Sequence, residues 1–189
     1  MPLTGLMVRP AREGDGAGVS AIVDAVSAVP ETLAFIQGRF GSVEKLADGC
    51  GRADRTLTAE LGGRVVGFAS WRQDEGVGVV EFLAVRPEFQ GWGVGKALLS
   101  ALMERAKLRG IRLIDATAPG RLRKAVGLFE AVGFREIGRS VRLVRKASGR
   151  TATALVPAEN VEGLMRHRER EFRETDVWVH YEKRFARMR

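Results

Sequence analysis

Gln90, Gly91, Trp92, Gly93, Val94, Gly95 and Lys96 place three glycines at alternate positions and end on a cation. Glycine has no Cβ, so such a run can turn sharply and bring main-chain N–H groups against a ligand. An apolar run, Val77–Val85, leads into it, and apolar residues at spacings of three and four lead out from Val94 to about Arg109. A loop that joins a strand to the first turn of a helix presents unpaired N–H groups and a partial positive charge. The chemistry it suits is phosphate binding. It is neither of the commonest phosphate loops. Ala97 stands where a P-loop needs Ser or Thr after the lysine, and the glycines run G-x-G-x-G rather than G-x-G-x-x-G. On glycine spacing alone, an ordinary strand-to-helix turn is the plain alternative. Other chemistries find little support. His167 and His180 lie far apart and nothing has metal-ligand spacing. Cys50 has no partner base and reads as structural, and no Ser-His-Asp constellation is readable.

The elements that must position this loop follow from periodicity. Leu6 to Ala11 reads as an opening strand. Asp15 is placed to cap a helix carrying Val19, Ile22, Val23 and Val26 on one face, ended by Pro30. Leu33, Phe35, Ile36 and Phe40 suggest a second helix, with Ser42 capping a short piece through Leu46. Thr56–Leu61 alternates as a half-buried strand, Gly62 and Gly63 supply a hairpin turn, and 65–71 returns. Gly76 and Gly78 flank the next turn. Val77–Val85 is the third strand of the meander, with Val77, Val79, Glu81, Leu83 and Val85 expected on one face and Val80, Phe82 and Ala84 on the other. After the loop, Leu98, Leu99, Leu102, Met103 and Ala106 mark a helix closed by Gly110. A buried strand over 112–118 completes a parallel crossover. A helix with Leu122, Ala125, Phe129 and Val132 follows, stopped by Gly133, and a strand starts at Phe134.

The loop with its flanks, Leu83-Ala84-Val85-x-Pro87 before Gln90-x-x-Gly93-x-Gly95, resembles the coenzyme A pyrophosphate loop of the GNAT N-acetyltransferases. Leu128-Phe129-Glu130 with Gly133-Phe134 is similar to that family's L-Y-E-x-x-G-F helix end. The resemblance covers about residues 6 to 138 and a last strand. It implies an α/β GNAT (acyl-CoA N-acyltransferase) fold, a mixed central sheet with an antiparallel meander, then a parallel β-α-β step, and flanking helices. The activity implied is N-acetyl transfer from acetyl-CoA, as co-substrate and without a metal, to a primary amine of a small molecule or protein by direct attack in a ternary complex. Coenzyme binding maps to Leu83, Ala84 and Val85, whose main chain would pair with the pantetheine arm. It maps also to Gln90, Gly91, Trp92, Gly93, Val94, Gly95 and Lys96, whose N–H groups would take the pyrophosphate. The base that the family often carries on its fourth strand maps to Glu81, where burial would raise the carboxyl pKa. Phe35 and Phe40 fall where the acceptor pocket is shaped, with simple core packing as the other reading. Phe129 departs from the pattern, because family members often carry a proton-donating tyrosine there; Leu122 falls where asparagine is often found. Tyr181 is the chain's one tyrosine.

The tail admits two assignments. A hairpin over 141–146 and 151–156, a helical spacing through Val161, Leu164, Met165, Arg168 and Phe172, and a strand over 176–185 are all readable. The preferred one makes 176–185 the family's last strand and about 145–175 an insertion within a single domain spanning 1–189. The other makes 151–156 the last strand and the remainder an extension. The chain of 189 residues can hold one sizeable core, and its 45% hydrophobic content is ordinary for a globular protein. No apolar run is long enough to cross a bilayer, the first residues lack a signal-peptide layout, and one cysteine forms no internal disulfide. These features lead to the expectation of a cytoplasmic protein without a membrane partner. Net charge is +8, and from Arg135 onward 14 Lys/Arg face 8 Asp/Glu. Interleaved acids and the lack of an aromatic array argue against nucleic acid. A non-catalytic acyl-CoA-binding module and a nucleic-acid- or ribosome-associated protein are the rival readings, and exposed strand edges leave a homodimer open.

Overall fold

The computed structural model describes residues 4–40, 42, 43, 55–147, 150–160 and 173–185. Cys50, His167, residues 44–46 of the short helix expected from Ser42 to Leu46, the helical spacing over 161–172 and the side chain of Phe35 lie outside the described residues. The chain divides into two compact units, Met1–Asp115 with Lys183–Arg189 and Ala116–Glu182.

In the first unit, β1 (Met7–Pro10) is followed by a 3-10 turn (Glu13–Asp15), α1 (Gly16–Ser27) and α2 (Pro30–Phe40). The meander β2 (Thr56–Leu61), β3 (Arg64–Asp74) and β4 (Val77–Val85) leads to α3 (Val94–Leu108) and the start of β5 (Leu113–Pro119). Strands lie in the order β1-β2-β3-β4-β5. Pairing is antiparallel up to β4 and parallel between β4 and β5, from Val77↔Leu113 to Val79↔Asp115. Gly62 and Gly63 take φ of 57° and 78°, the conformation a two-residue hairpin between twisted strands needs.

Helices cover this sheet on both faces. Phe82 on β4 stacks on Phe68 of β3, with ring centroids 5.8 Å apart, and Phe40 of α2 meets Phe82 edge-on at 5.7 Å. Gly67, the residue before Phe68 on β3, faces the other way. A Cβ on Gly67 would lie 3.1 Å from the side chains of both Val94 and Leu98 of α3. Leu98, Leu99 and Leu102 of α3 and Ile22 and Val23 of α1 are fully buried.

The second unit holds the rest of β5, α4 (Arg123–Ala131), β6 (Arg135–Ala147), β7 (Arg150–Pro157) and most of β8 (Arg173–Arg184). Its strand order is β5-β8-β6-β7, with β8 and β7 both antiparallel to β6. The strand expected over 176–185 is therefore β8, and it lies between β5 and β6. The 151–156 strand is β7, on the far side of β6. Phe129 stacks on Tyr181 at 5.3 Å and meets Phe134 edge-on at 5.3 Å, forming this unit's aromatic centre.

Four local expectations change. Pro30 does not merely end α1; it is the first residue of α2, where a missing N–H is harmless. Asp15 precedes α1 but makes no side-chain cap, because Arg9 and the Arg12 amide hold its carboxylate. β2 is buried on both faces from Thr56 to Ala59, since it is an inner strand between β1 and β3 with α3 also packed on it. The fourth change, on β4, concerns the site.

Candidate active site on β4 and the following loop

The loop after β4 is built from its own backbone. Arg86 is pinned to β3 by its amide, which donates to the Val66 carbonyl at 2.9 Å, and by Nε, which donates to the Val65 carbonyl at 3.1 Å. Pro87–Phe89 forms a 3-10 turn, with proline at a position that needs no donor. Gln90 then turns its side chain inward, and Nε2 donates to the Val85 carbonyl at 3.1 Å. That bond ties the start of the loop to the end of the strand. Gly91 and Gly93 take φ of 81° and 91°, where any side chain is strained. Gly93 is the residue before α3, and the first helical bond runs from the Ala97 amide to its carbonyl at 2.9 Å. The N–H groups of Val94, Gly95 and Lys96 therefore have no acceptor within the helix, and no side chain caps them. They add to the positive end of a helix of 15 residues, an arrangement that attracts a phosphate.

On β4 itself, the pairing with β3 slips by one residue. Ser70 opposes Phe82, but Trp71 opposes Val80. Glu81 is the extra residue of a β-bulge. A bulge shifts the alternation, and directly opposed residues share a face. Leu83 and Val85 lie opposite Ala69 and Gly67, on the side that α3 covers. Val79 lies opposite Arg72 on the other side, whereas Val80 lies with Trp71 on the α3 side. The single face expected for Val77, Val79, Glu81, Leu83 and Val85 is thus two faces joined at Glu81. Glu81 has no Cα partner on β3, and its carboxylate reaches Arg72, which lies on the side away from α3.

Glu81 is not buried. Its side chain is 33% exposed, and its Oε1 lies 3.5 Å from Nε of Arg72, itself 38% exposed. The burial expected of this carboxyl is therefore absent, and the nearby charge is the arginine. Sequence reading passed over Arg72, which lies at the polar end of β3 beside Gln73 and Asp74. From Val80 to Val85 the main-chain edge of β4 that faces away from β3 carries no ladder pair among the described residues. A strand that leaves its neighbour while still buried has unpaired N–H and C=O groups, which can pair with an extended ligand.

The residues expected to act together, Glu81, Leu83, Ala84, Val85 and 90–96, all lie in the first unit along one continuous path. Trp92 in the loop is 57% exposed and meets Phe89 edge-on at 6.3 Å. Phe40 is a packing partner of Phe82. In the second unit, Phe129 is buried, and Tyr181 is fully buried with no partner for its hydroxyl among the described residues. Burial, then the charges of Glu130 and Glu136, push the Tyr181 phenol up from its usual range, so it keeps its proton at neutral pH. Among the described residues no group of His, Cys, Asp and Glu could hold a metal ion, and no helix is long and apolar enough to cross a membrane.

Comparison with known proteins agrees with this architecture. Two curated L-methionine sulfoximine/L-methionine sulfone acetyltransferases, from Pseudomonas paraeruginosa and Pseudomonas aeruginosa, are each 34% identical over 95 residues, 48% of this chain and 55% of theirs. The chain thus spans about half the length of the curated relatives it matches. A putative acetyltransferase from Pyrococcus horikoshii superposes with a TM-score of 0.74 at 12% identity, over 98% of this chain and 92% of that one. The PaiA N-acetyltransferase from Thermoplasma acidophilum, solved in complex with coenzyme A, superposes with a TM-score of 0.62 at 15% identity, over 95% and 99%. These likenesses establish the fold as the mixed α/β GNAT fold. The pattern of the acetyltransferase (GNAT) family matches residues 39–134, more than half of the chain and all of the loop and strand just described, and the chain belongs to that family.

Proposed function

We propose that this protein is an acetyl-CoA-dependent N-acetyltransferase acting on a primary amine by direct attack in a ternary complex. One observation carries the reading: β4, whose ladder with β5 stops at Val79, runs on without interruption into a positive-φ glycine loop at the start of α3. Such a path suits an extended ligand with an amide-bearing arm and a pyrophosphate, which is the form of coenzyme A. Main-chain groups of Leu83, Ala84 and Val85 hold the arm, and the N–H groups of 91–96 hold the pyrophosphate. Gln90 acts from within by bracing the loop on Val85.

The thioester supplies an activated acetyl group. The amine nitrogen forms a bond to the acetyl carbon, the carbon–sulfur bond breaks, and the thiolate leaves with the bonding pair. Glu81 takes the proton that the amine must lose, directly or through one water. Arg72, 3.5 Å away, is the partner that Glu81 exchanges for the entering amine. Phe129 has no proton to give. A thiol has an ordinary pKa of about 8.5, so the thiolate can depart without a side-chain acid and take its proton from solvent. The Pseudomonas relatives are named for L-methionine sulfoximine and L-methionine sulfone, which supports a small-molecule acceptor over a protein one.

Gly93→Val tests the reading. Valine cannot take φ of 91° without strain, so the turn that presents the N–H groups to the pyrophosphate cannot keep its shape. Coenzyme A binding, measured by calorimetry, should fall at least a hundredfold, and thiol release with an amine panel should disappear with it. Wild-type affinity in the variant would overturn the loop assignment. Tight coenzyme binding by the wild type, with no thiol release on any amine, would favour a non-catalytic acyl-CoA-binding module.

A further inference from the structure

Resting on the coenzyme reading above, we infer that Trp92 is a platform for the adenine of coenzyme A. The protein has three tryptophans. Trp71 and Trp178 are buried at 1% and 4% exposure, whereas Trp92 is 57% exposed. An exposed large aromatic in the middle of an anion-binding loop contributes little to the core, and the fold does not require it. Its placement is set on both sides. Gly91 and Gly93 hold positive φ before and after it, which throws its side chain outward from the turn. The Phe89 ring, 6.3 Å away and at 72° to it, makes a T-shaped contact with it, and Trp92 still stays 57% exposed. Phe89 is itself held, its amide donating to the Arg86 carbonyl at 2.9 Å.

Coenzyme A continues from its pyrophosphate through a ribose phosphate to the adenine. With the pyrophosphate on the N–H groups of 91–96, the base is the next large group outside the loop, within reach of a side chain rooted at position 92. A flat indole face and a purine face stack without hydrogen-bond readout, through dispersion and displaced water. Lys96, one helical turn on, adds a charge suited to the phosphates. The ligand class is therefore a purine nucleotide end, and the role is to hold the donor, with no part in proton transfer.

The experiment uses the whole chain with two probes, coenzyme A and 4′-phosphopantetheine, which keeps the arm and its one phosphate and lacks the 3′-phospho-AMP end. Trp92→Ala should weaken coenzyme A binding roughly five- to hundredfold, the span that base–aromatic stacking commands. Affinity for 4′-phosphopantetheine should stay within about twofold, and Trp92→Phe should recover most of the loss. Because the other two tryptophans are sealed, the fluorescence of Trp92 reports its own environment. Coenzyme A should quench or shift it, and 4′-phosphopantetheine should not. Equal losses for both probes, or no loss for coenzyme A, would overturn the stacking role. Loss of coenzyme A binding in Gly93→Val alongside normal binding in Trp92→Ala would remove the platform and leave the loop assignment intact. Wild-type failure to bind coenzyme A would remove both.

Discussion

Two arginine–carboxylate clusters in the first unit differ in ways that separate building from chemistry. Arg9 reaches Asp15 through both terminal nitrogens, at 2.7 and 2.9 Å, and Glu60 through Nε and Nη2, at 2.9 and 2.7 Å. The Arg12 amide donates to Asp15 at 2.7 Å, and the Thr58 hydroxyl is 3.4 Å away. The Arg9 and Asp15 side chains are about one-tenth exposed. All three guanidinium nitrogens of Arg9 donate to a carboxylate, and the result clamps β1, the turn before α1 and β2 together. Arg72 and Glu81 make a single 3.5 Å approach with about a third of each side chain in water. The first carboxylate is fixed by excess bonding. The second sits on a bulge, held by one partly exposed contact, and it is the one proposed above to exchange its partner for an amine.

The largest expected effect comes from removing the loose carboxylate. Glu81→Gln keeps shape and hydrogen-bonding capacity but cannot take a proton. Turnover should fall by about 10²–10⁴, the usual worth of a positioned base. The pH dependence of kcat/KM should flatten on its acid side, and coenzyme A affinity should stay within a factor of about two. An unaltered pH profile in this variant would remove the base role and leave Glu81 as an amine-binding group only.

Next comes the tight cluster. Asp15→Asn leaves Arg9 with half its partners in a nearly dry setting, and breaking one side of a buried pair destabilises by about 3 kcal/mol. The Arg9 guanidinium first, then the Arg12 amide and Thr58, hold the Asp15 carboxyl below its ordinary value of 3.8. The sign follows. A carboxyl with a lowered folded-state pKa contributes stability that is fully present above the unfolded value. That contribution is lost as pH falls through the folded one. Urea midpoints of wild type and Asp15→Asn should therefore differ most at neutral pH and converge below about pH 4. A gap that persists unchanged to pH 2 would mean that packing, and not charge, carries the cluster.

The contrast also explains what a reader of the sequence can and cannot extract. The loop was legible because its requirement is local. Positive φ at Gly91 and Gly93 needs glycine whatever surrounds it, and the helix that follows declares itself by period. β8 was legible from residues 176–185 for the same reason. The Glu81 bulge was not, because it exists only as a mismatch between two strands, Ser70↔Phe82 against Trp71↔Val80. Period-two reading assumes an unbroken ladder and so put Val79 and Leu83 on one face. Asp15 is the same lesson at a helix start. The local capping rule lost to Arg9, six residues back, and to Thr58, 43 residues on. Residues that carry charge across strands are the ones whose partners a linear pattern does not name.

Arg72→Leu gives the smallest effect and the sharpest test of the contrast. An ion pair with this separation and exposure is worth at most about 1 kcal/mol, so the urea midpoint should move far less than in Asp15→Asn. Arg72 also bonds the exposed Asp74, which loses a solvated partner at little cost. Glu81 keeps its position in the variant, because the bulge that aims it belongs to the backbone and not to the arginine. Turnover should therefore fall by less than about tenfold, well short of Glu81→Gln. If Arg72→Leu instead matched Glu81→Gln in turnover, the two side chains would be acting as one unit. If it matched Asp15→Asn in stability, the pair would be a clamp like the other. Either result would erase the distinction between a carboxylate held for structure and one held for use.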